Sequence, residues 1–173
     1  MTTTVNASGT TSLSAILSDI DMGPTDSIQF MFAKLQLAQS QICKSQAESY
    51  MKQIEEIQQE QTEVAEMISK ARKLQNEAKT NDTNTVMDSD MKAYFEKHDL
   101  SYDTDGNDDK HSYDQWTYNI ESLTNYQESI SNKTQTLMVY LQDFISQYNS
   151  YLQGASSAIS SASQVLTAIA TGR

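Results

Sequence analysis

Positions in the C-terminal third of the chain fall on a four-three rhythm: Gln127, Ile130, Thr134, Leu137, Leu141, Phe144, Tyr148, Tyr151, Ala155, Ala158, Ala162, Val165 and Ile169. Eleven of these thirteen are apolar or aromatic. A mean spacing of about 3.5 residues keeps one stripe facing a partner helix, which is the pattern of a coiled-coil seam. A matching rhythm runs earlier, through Cys43, Ala47, Tyr50, Ile54, Ile57, Gln61, Val64, Ile68, Ala71, Gln75 and Ala78. No Pro or Gly interrupts it. It predicts a first long helix over 27–79, roughly 80 Å long at about 1.5 Å per residue.

The segments around these two stripes complete the layout. Leu13, Ile16, Leu17 and Ile20 have helical spacing and predict a short docking helix, stopped by Gly23-Pro24. Thr25 or Asp26 is placed to cap the helix that follows. That helix opens on Ile28, Phe30, Met31, Phe32, Leu35 and Leu37, which wrap more than one face. Residues 80–114 differ: a polar linker from Thr80 to Thr85, a short amphipathic helix from Met87 to His98 using Met91, Tyr94 and Phe95, then an acidic stretch from Tyr102 to Asp109. Ser112-Tyr113-Asp114-Gln115 fits a capping box, so the second long helix starts there and fills 115–171. The expected fold is all-α: a long antiparallel two-helix coiled-coil hairpin, with a small acidic helical insert at its tip and a disordered leader over 1–26. Ile130 to Tyr151 is matched by the earlier rhythm within the same chain. Ala155 to Ile169 is small-residue and free of charge; it either meets another subunit or packs on the apolar entry Phe30 to Leu37.

Composition narrows the function classes. The chain has 173 residues, one Pro, five Gly and 38% hydrophobic residues, which suits a thin helical protein better than a thick core. Net charge is −11. Ten acidic and three basic residues from Asp82 to Asp114 put −7 of it in the insert. This balance argues against nucleic acid or an anionic membrane as partner. No apolar run reaches the length of about 20 residues that spans a bilayer, so direct membrane insertion is not expected. Cys43 is the only cysteine, which excludes an intrachain disulfide, and its place in the rhythm reads as a buried thiol. The first positive side chain is Lys34, so a Sec-type signal peptide is not expected. Residues 1–14 are crowded with Thr and Ser, which suits a frayed terminus or an unfolded leader for a threading export machine.

One stretch raises a metal question. Asp103, Asp105, Asn107 and Asp114 occupy positions 1, 3, 5 and 12 of a calcium-loop register. Two departures stand against it: Asp108 where a glycine normally turns the loop, and the short Asp114 where a bidentate Glu is usual. The other reading is a solvated acidic tip. Apart from that ion no cofactor is implied. His98 reads as a surface residue ending a helix, and His111 as a weak metal neighbour. With no phosphate-binding loop and no zinc-spaced His/Cys cluster, enzyme activity is not expected. Trp116, Tyr113, Tyr118 and Tyr126 are expected to pack the insert against the hairpin.

The layout resembles the EspA-like filament family of bacterial type III secretion systems, with needle-tip proteins as neighbours. The resemblance rests on the Thr/Ser-rich leader, the apolar opening Ile28 to Leu35, the Gln-rich helix Gln39 to Ala78, the central insert and the closing helix Ser129 to Ala170. It covers most of the chain as a layout, without a diagnostic motif. It implies a secreted, surface-exposed structural protein that self-assembles into a homo-oligomer at or beyond the needle. Its implied partners are the needle, translocator proteins and a cytosolic chaperone. The expected assembly residues are Phe30, Phe32, Leu35, Leu137, Leu141, Ala155, Ala158, Ala162, Val165 and Ile169. Two rival expectations are a calcium-responsive regulator using 103–114 and a cytosolic secretion chaperone or gatekeeper.

Overall fold

The computed structural model describes residues 13–20 and 27–172. Helix α1 (Leu13–Asp19) is followed by the long α2 (Ile28–Asn81). Then come strand β1 (Thr85–Val86), helix α3 (Ser89–Lys97), a 3-10 turn (Asp105–Asn107) and strand β2 (Lys110–His111). The chain closes on the long α4 (Tyr113–Ala170). Helices α2 and α4 pack antiparallel, so the all-α hairpin expected from the two stripes is the observed fold. The chain divides into two compact units, one of Met1–Lys52 with Met138–Arg173 and one of Gln53–Leu137. Of the expected leader over 1–26, residues 1–12 and 21–26 lie outside the described residues, and with them the stop Gly23-Pro24 and the caps Thr25 and Asp26.

In the first unit the seam is built from small and aromatic residues. Ala33, Ala38, Cys43 and Ala47 of α2 are buried, as are Ala155 and Ala162 of α4. Tyr50 stacks on Phe144 with centroids 5.5 Å apart, and Tyr140 lies 5.8 Å from the same ring. Gly154 marks a close approach: a Cβ there would meet Gln36 Oε1 at 3.1 Å. α4 runs through this glycine without a break. Ser27 starts α2, its hydroxyl accepting from the Phe30 N–H at 3.2 Å. Buried Ser40 donates to the Leu37 carbonyl at 2.7 Å, which offsets the cost of enclosing its hydroxyl.

In the second unit the seam is built mainly from larger aliphatic residues. Ile54, Ile57, Val64, Ile68 and Ala71 are buried together with Leu123, Ile130 and Leu137. Each large aliphatic chain so enclosed contributes about 1.5–3 kcal/mol. The polar stripe positions are satisfied across the helices. Gln61 Nε2 donates to Ser131 and Thr134 hydroxyls at 3.3 Å, and Gln75 Nε2 donates to Thr117 Oγ1 at 2.8 Å.

The insert departs from its sequence reading in two ways. α2 continues to Asn81, and the supposed polar linker ends in β1, which pairs antiparallel with β2 through Thr85–His111 and Val86–Lys110. The short helix begins at Ser89 because Asp88 caps it, accepting from the Met91 N–H at 2.7 Å. Its expected apolar face, Met91, Tyr94 and Phe95, is buried.

The capping box opens α4 as read: the Ser112 N–H donates to Gln115 Oε1 at 2.7 Å, and the Gln115 N–H donates to Ser112 Oγ at 3.4 Å. Replacing Ser112 with Ala is expected to cost about 1 kcal/mol. Urea unfolding should show this as a lower midpoint with an unchanged slope. An unchanged midpoint would show that α4 starts without help from this hydroxyl.

Candidate functional site

The first unit carries an apolar surface. Leu17 of α1 and Ile28, Met31, Phe32 and Leu35 of α2 line one groove, with Lys34 at its margin. Ile28 and Phe32 also line a second groove with Gly154, Ser157 and Ala158 of α4. Ile28 is 82% exposed and Ile169 70% exposed. Val165 and Leu166 are exposed beside it. The stripe that is buried at Ala155 and Ala162 therefore continues, on the same period, into two uncovered positions, Val165 and Ile169. Charge is sparse here: Lys34 is the only ionisable chain from Ile28 to Ile42, and residues 154–172 have none.

The expected assembly residues divide between the two environments. Phe32, Leu35, Val165 and Ile169 are exposed. Phe30, Leu141 and Ala158 are half-buried. Leu137, Ala155 and Ala162 are enclosed within the chain itself, so replacing them perturbs the fold before any outer surface. Cys43 is buried as expected, with its sulfur 3.8 Å from Gln147 Oε1. Burial, helped by the Asp143 carboxylate, pushes its thiol pKa up, which disfavours the thiolate.

The second unit holds the insert core, and it reassigns the acidic loop. Trp116 is fully buried, and its indole N–H donates to Thr85 Oγ1 at 2.7 Å. Thr85 in turn donates to the Leu74 carbonyl at 3.0 Å. His111, also buried, meets the Trp116 ring edge-on with centroids 5.0 Å apart. Its Nδ1 lies 3.3 Å from Asp103 Oδ2, and the Asp103 N–H donates to buried Asn119 Oδ1 at 2.7 Å. Asp103 is thus engaged with His111 and Asn119 at the edge of the core. Asp105 and Asp114 are exposed, and the Asn107 side chain is not among those described. The left-handed turn falls at Gly106, with φ at 81°, two residues before the position a calcium loop would need. Among the described residues no group of three or more His, Cys, Asp or Glu is placed to hold a metal. Lys92 instead pairs with Asp109 at 2.7 Å, which pushes the ammonium pKa up chiefly through that hydrogen bond.

The surface reading of His98 is corrected. Its side chain is only 10% exposed. It lies on the apolar face of α3, one turn beyond Tyr94, whose ring is 4.4 Å from its own. Its Nδ1 is 2.6 Å from Tyr126 Oη of α4 and 3.1 Å from Glu60 Oε1 of α2. Tyr126 also donates to Glu60. Burial and the Glu60 contact push the Tyr126 pKa up. Tyr94 is pushed up to about 12, mainly by burial, and its hydroxyl has no partner among the described residues. The i, i+3, i+7 spacing of Met91, Tyr94 and His98 is the signal in the sequence that could have placed His98 inside. Of the other aromatics, Tyr113 and Tyr118 are largely exposed, with Lys79 over the Tyr113 ring at 5.2 Å.

Among the described residues no helix is long and apolar enough to cross a membrane. Comparisons with models of protein families, with curated proteins and with solved structures find no match.

Proposed function

We propose that this chain is a secreted structural component of a bacterial type III secretion apparatus, a filament subunit or needle-tip protein that works by self-assembly. The observation that carries the reading is the α4 stripe, buried at Ala155 and Ala162 and then continuing exposed at Val165 and Ile169, in a unit that also exposes Ile28 and Phe32. A seam that outruns its own partner can be completed by another helix. The near absence of charge there lets copies of a chain with net charge −11 approach, because much of the repelling charge lies in 82–114. The needle and the translocator proteins are its partners at the surface. A cytosolic chaperone covers the apolar stripe before export.

Two measurements on one strain test this. The protein is expected in culture supernatant in an amount that depends on a working secretion apparatus. Purified protein is expected to sediment as concentration-dependent oligomers, with ordered assemblies under negative stain. Protein confined to lysate and monomeric at every concentration would overturn the proposal.

A further inference from the structure

We propose that the contact of α3 with α2 and α4 in the second unit is an acid-released joint, with His98 as the group that takes up the proton. The argument starts from proton accounting. Tyr126 has one hydroxyl proton and donates it to Glu60. His98 Nδ1 faces both that hydroxyl oxygen and Glu60, so it carries its own proton and donates. The neutral ring then has a bare lone pair on Nε2, which is buried and has no partner among the described residues.

Acid must add its proton at that nitrogen. The product is a buried cation whose new N–H meets no acceptor among the described residues, a desolvation cost that the Glu60 contact at Nδ1 offsets only in part. Titratable groups face His98 from every element packed there. From α3, Lys97 repels the imidazolium; from α2, Glu60 and Glu63 attract it, with Glu63 also 3.9 Å from Lys97. From α4 comes the neutral Tyr126, and from α3 the neutral Tyr94. Burial is the largest of these effects and holds the His98 pKa below its ordinary value.

The sign follows by linkage. With α3 lifted away, His98 regains an ordinary pKa of about 6.5 and binds a proton that the closed joint refuses. The joint is therefore at full strength above about pH 6.5 and weakens as pH falls toward the depressed value of the closed state. The open population rises by up to about tenfold per pH unit across that window. The device is independent of whether the chain assembles or is secreted.

Hydrogen exchange on the full chain tests it, read as protection factors at about pH 7.5 and pH 5.5. Amides of α3 and the Leu100 N–H, bonded to the Phe95 carbonyl at 2.8 Å, are expected to lose protection by up to about tenfold per pH unit. Seam amides at Val64 and Leu123 should hold theirs. His98→Gln should flatten the response, whereas His111→Gln, which removes the insert's other histidine, should keep it. An NMR titration of the unmodified protein should place the His98 midpoint below about 6.5, and this needs no variant to fold. A midpoint at or above that value, an equal loss in His98→Gln, or seam amides opening in step with α3 would each overturn the joint.

Discussion

Replacing Trp116 with Ala is expected to cost about 3–5 kcal/mol, the range for emptying a fully enclosed aromatic site. Trp116 is the only tryptophan and is fully buried. Its removal strands two contacts at once. Thr85 loses the indole donor, which cuts the hydrogen-bonded chain from α4 through β1 to the Leu74 carbonyl, and the His111 ring loses its edge-on neighbour. Two-residue strands cannot stand alone, so β1 and β2 depend on this anchor. Trp116→Phe separates the two effects. It keeps most of the apolar volume and deletes only the N–H, and Thr85 still donates to Leu74, so about 0.5–1.5 kcal/mol is expected. Far-UV circular dichroism in urea measures both, since neither variant retains the fluorophore. A loss near that of Trp116→Phe in the alanine variant would show that the indole is not what holds the insert together.

Where sequence reading succeeded, the signal was long or strictly local. The stripe from Cys43 to Ala78 repeats over many turns, so random matches cancel and the buried face emerges: Ile54, Ile57, Val64, Ile68 and Ala71 are enclosed. The capping box needs only four residues and one geometry, and Ser112 and Gln115 adopt it. The short α1 and the α3 face of Met91, Tyr94 and Phe95 were legible for the same reason.

Where it failed, the determining contact spanned distant residues or had no period. Two-residue strands present no alternation, and Thr85 is defined by partners at Leu74 and Trp116. The calcium register matched residue types at intervals. Intervals do not say which way a carboxylate turns, and Asp103 turns to His111 with its N–H on Asn119. His98 was misplaced because a polar residue at a helix end reads as solvated unless its acceptor on another helix is known. Here that acceptor is Glu60. The surface stripe is the mixed case: period identified Val165 and Ile169 as seam positions, and only the structure shows that α2 does not cover them.

That difference yields a paired result. Leu137→Asp places a carboxylate at a position 8% exposed, within the seam of its own chain. It is expected to cost at least about 3 kcal/mol, through lost packing and a charge without a partner. The double variant Val165→Asp with Ile169→Asp changes only exposed chains and should leave folding stability within about 0.5 kcal/mol. Its effect should fall on association instead. Two carboxylates facing an apolar partner, repeated at every contact, are expected to weaken self-association by about a hundredfold or more, equivalent to about 2.7 kcal/mol. Sedimentation velocity alongside urea unfolding separates the cases: Leu137→Asp moves the unfolding midpoint, and the double variant moves the sedimentation profile alone. Intact oligomers in the double variant would remove the exposed end of α4 from the assembly surface and leave the groove at Ile28, Met31 and Phe32 to carry it. Loss of both assembly and stability in the double variant would instead mean that these turns pack within the chain in solution.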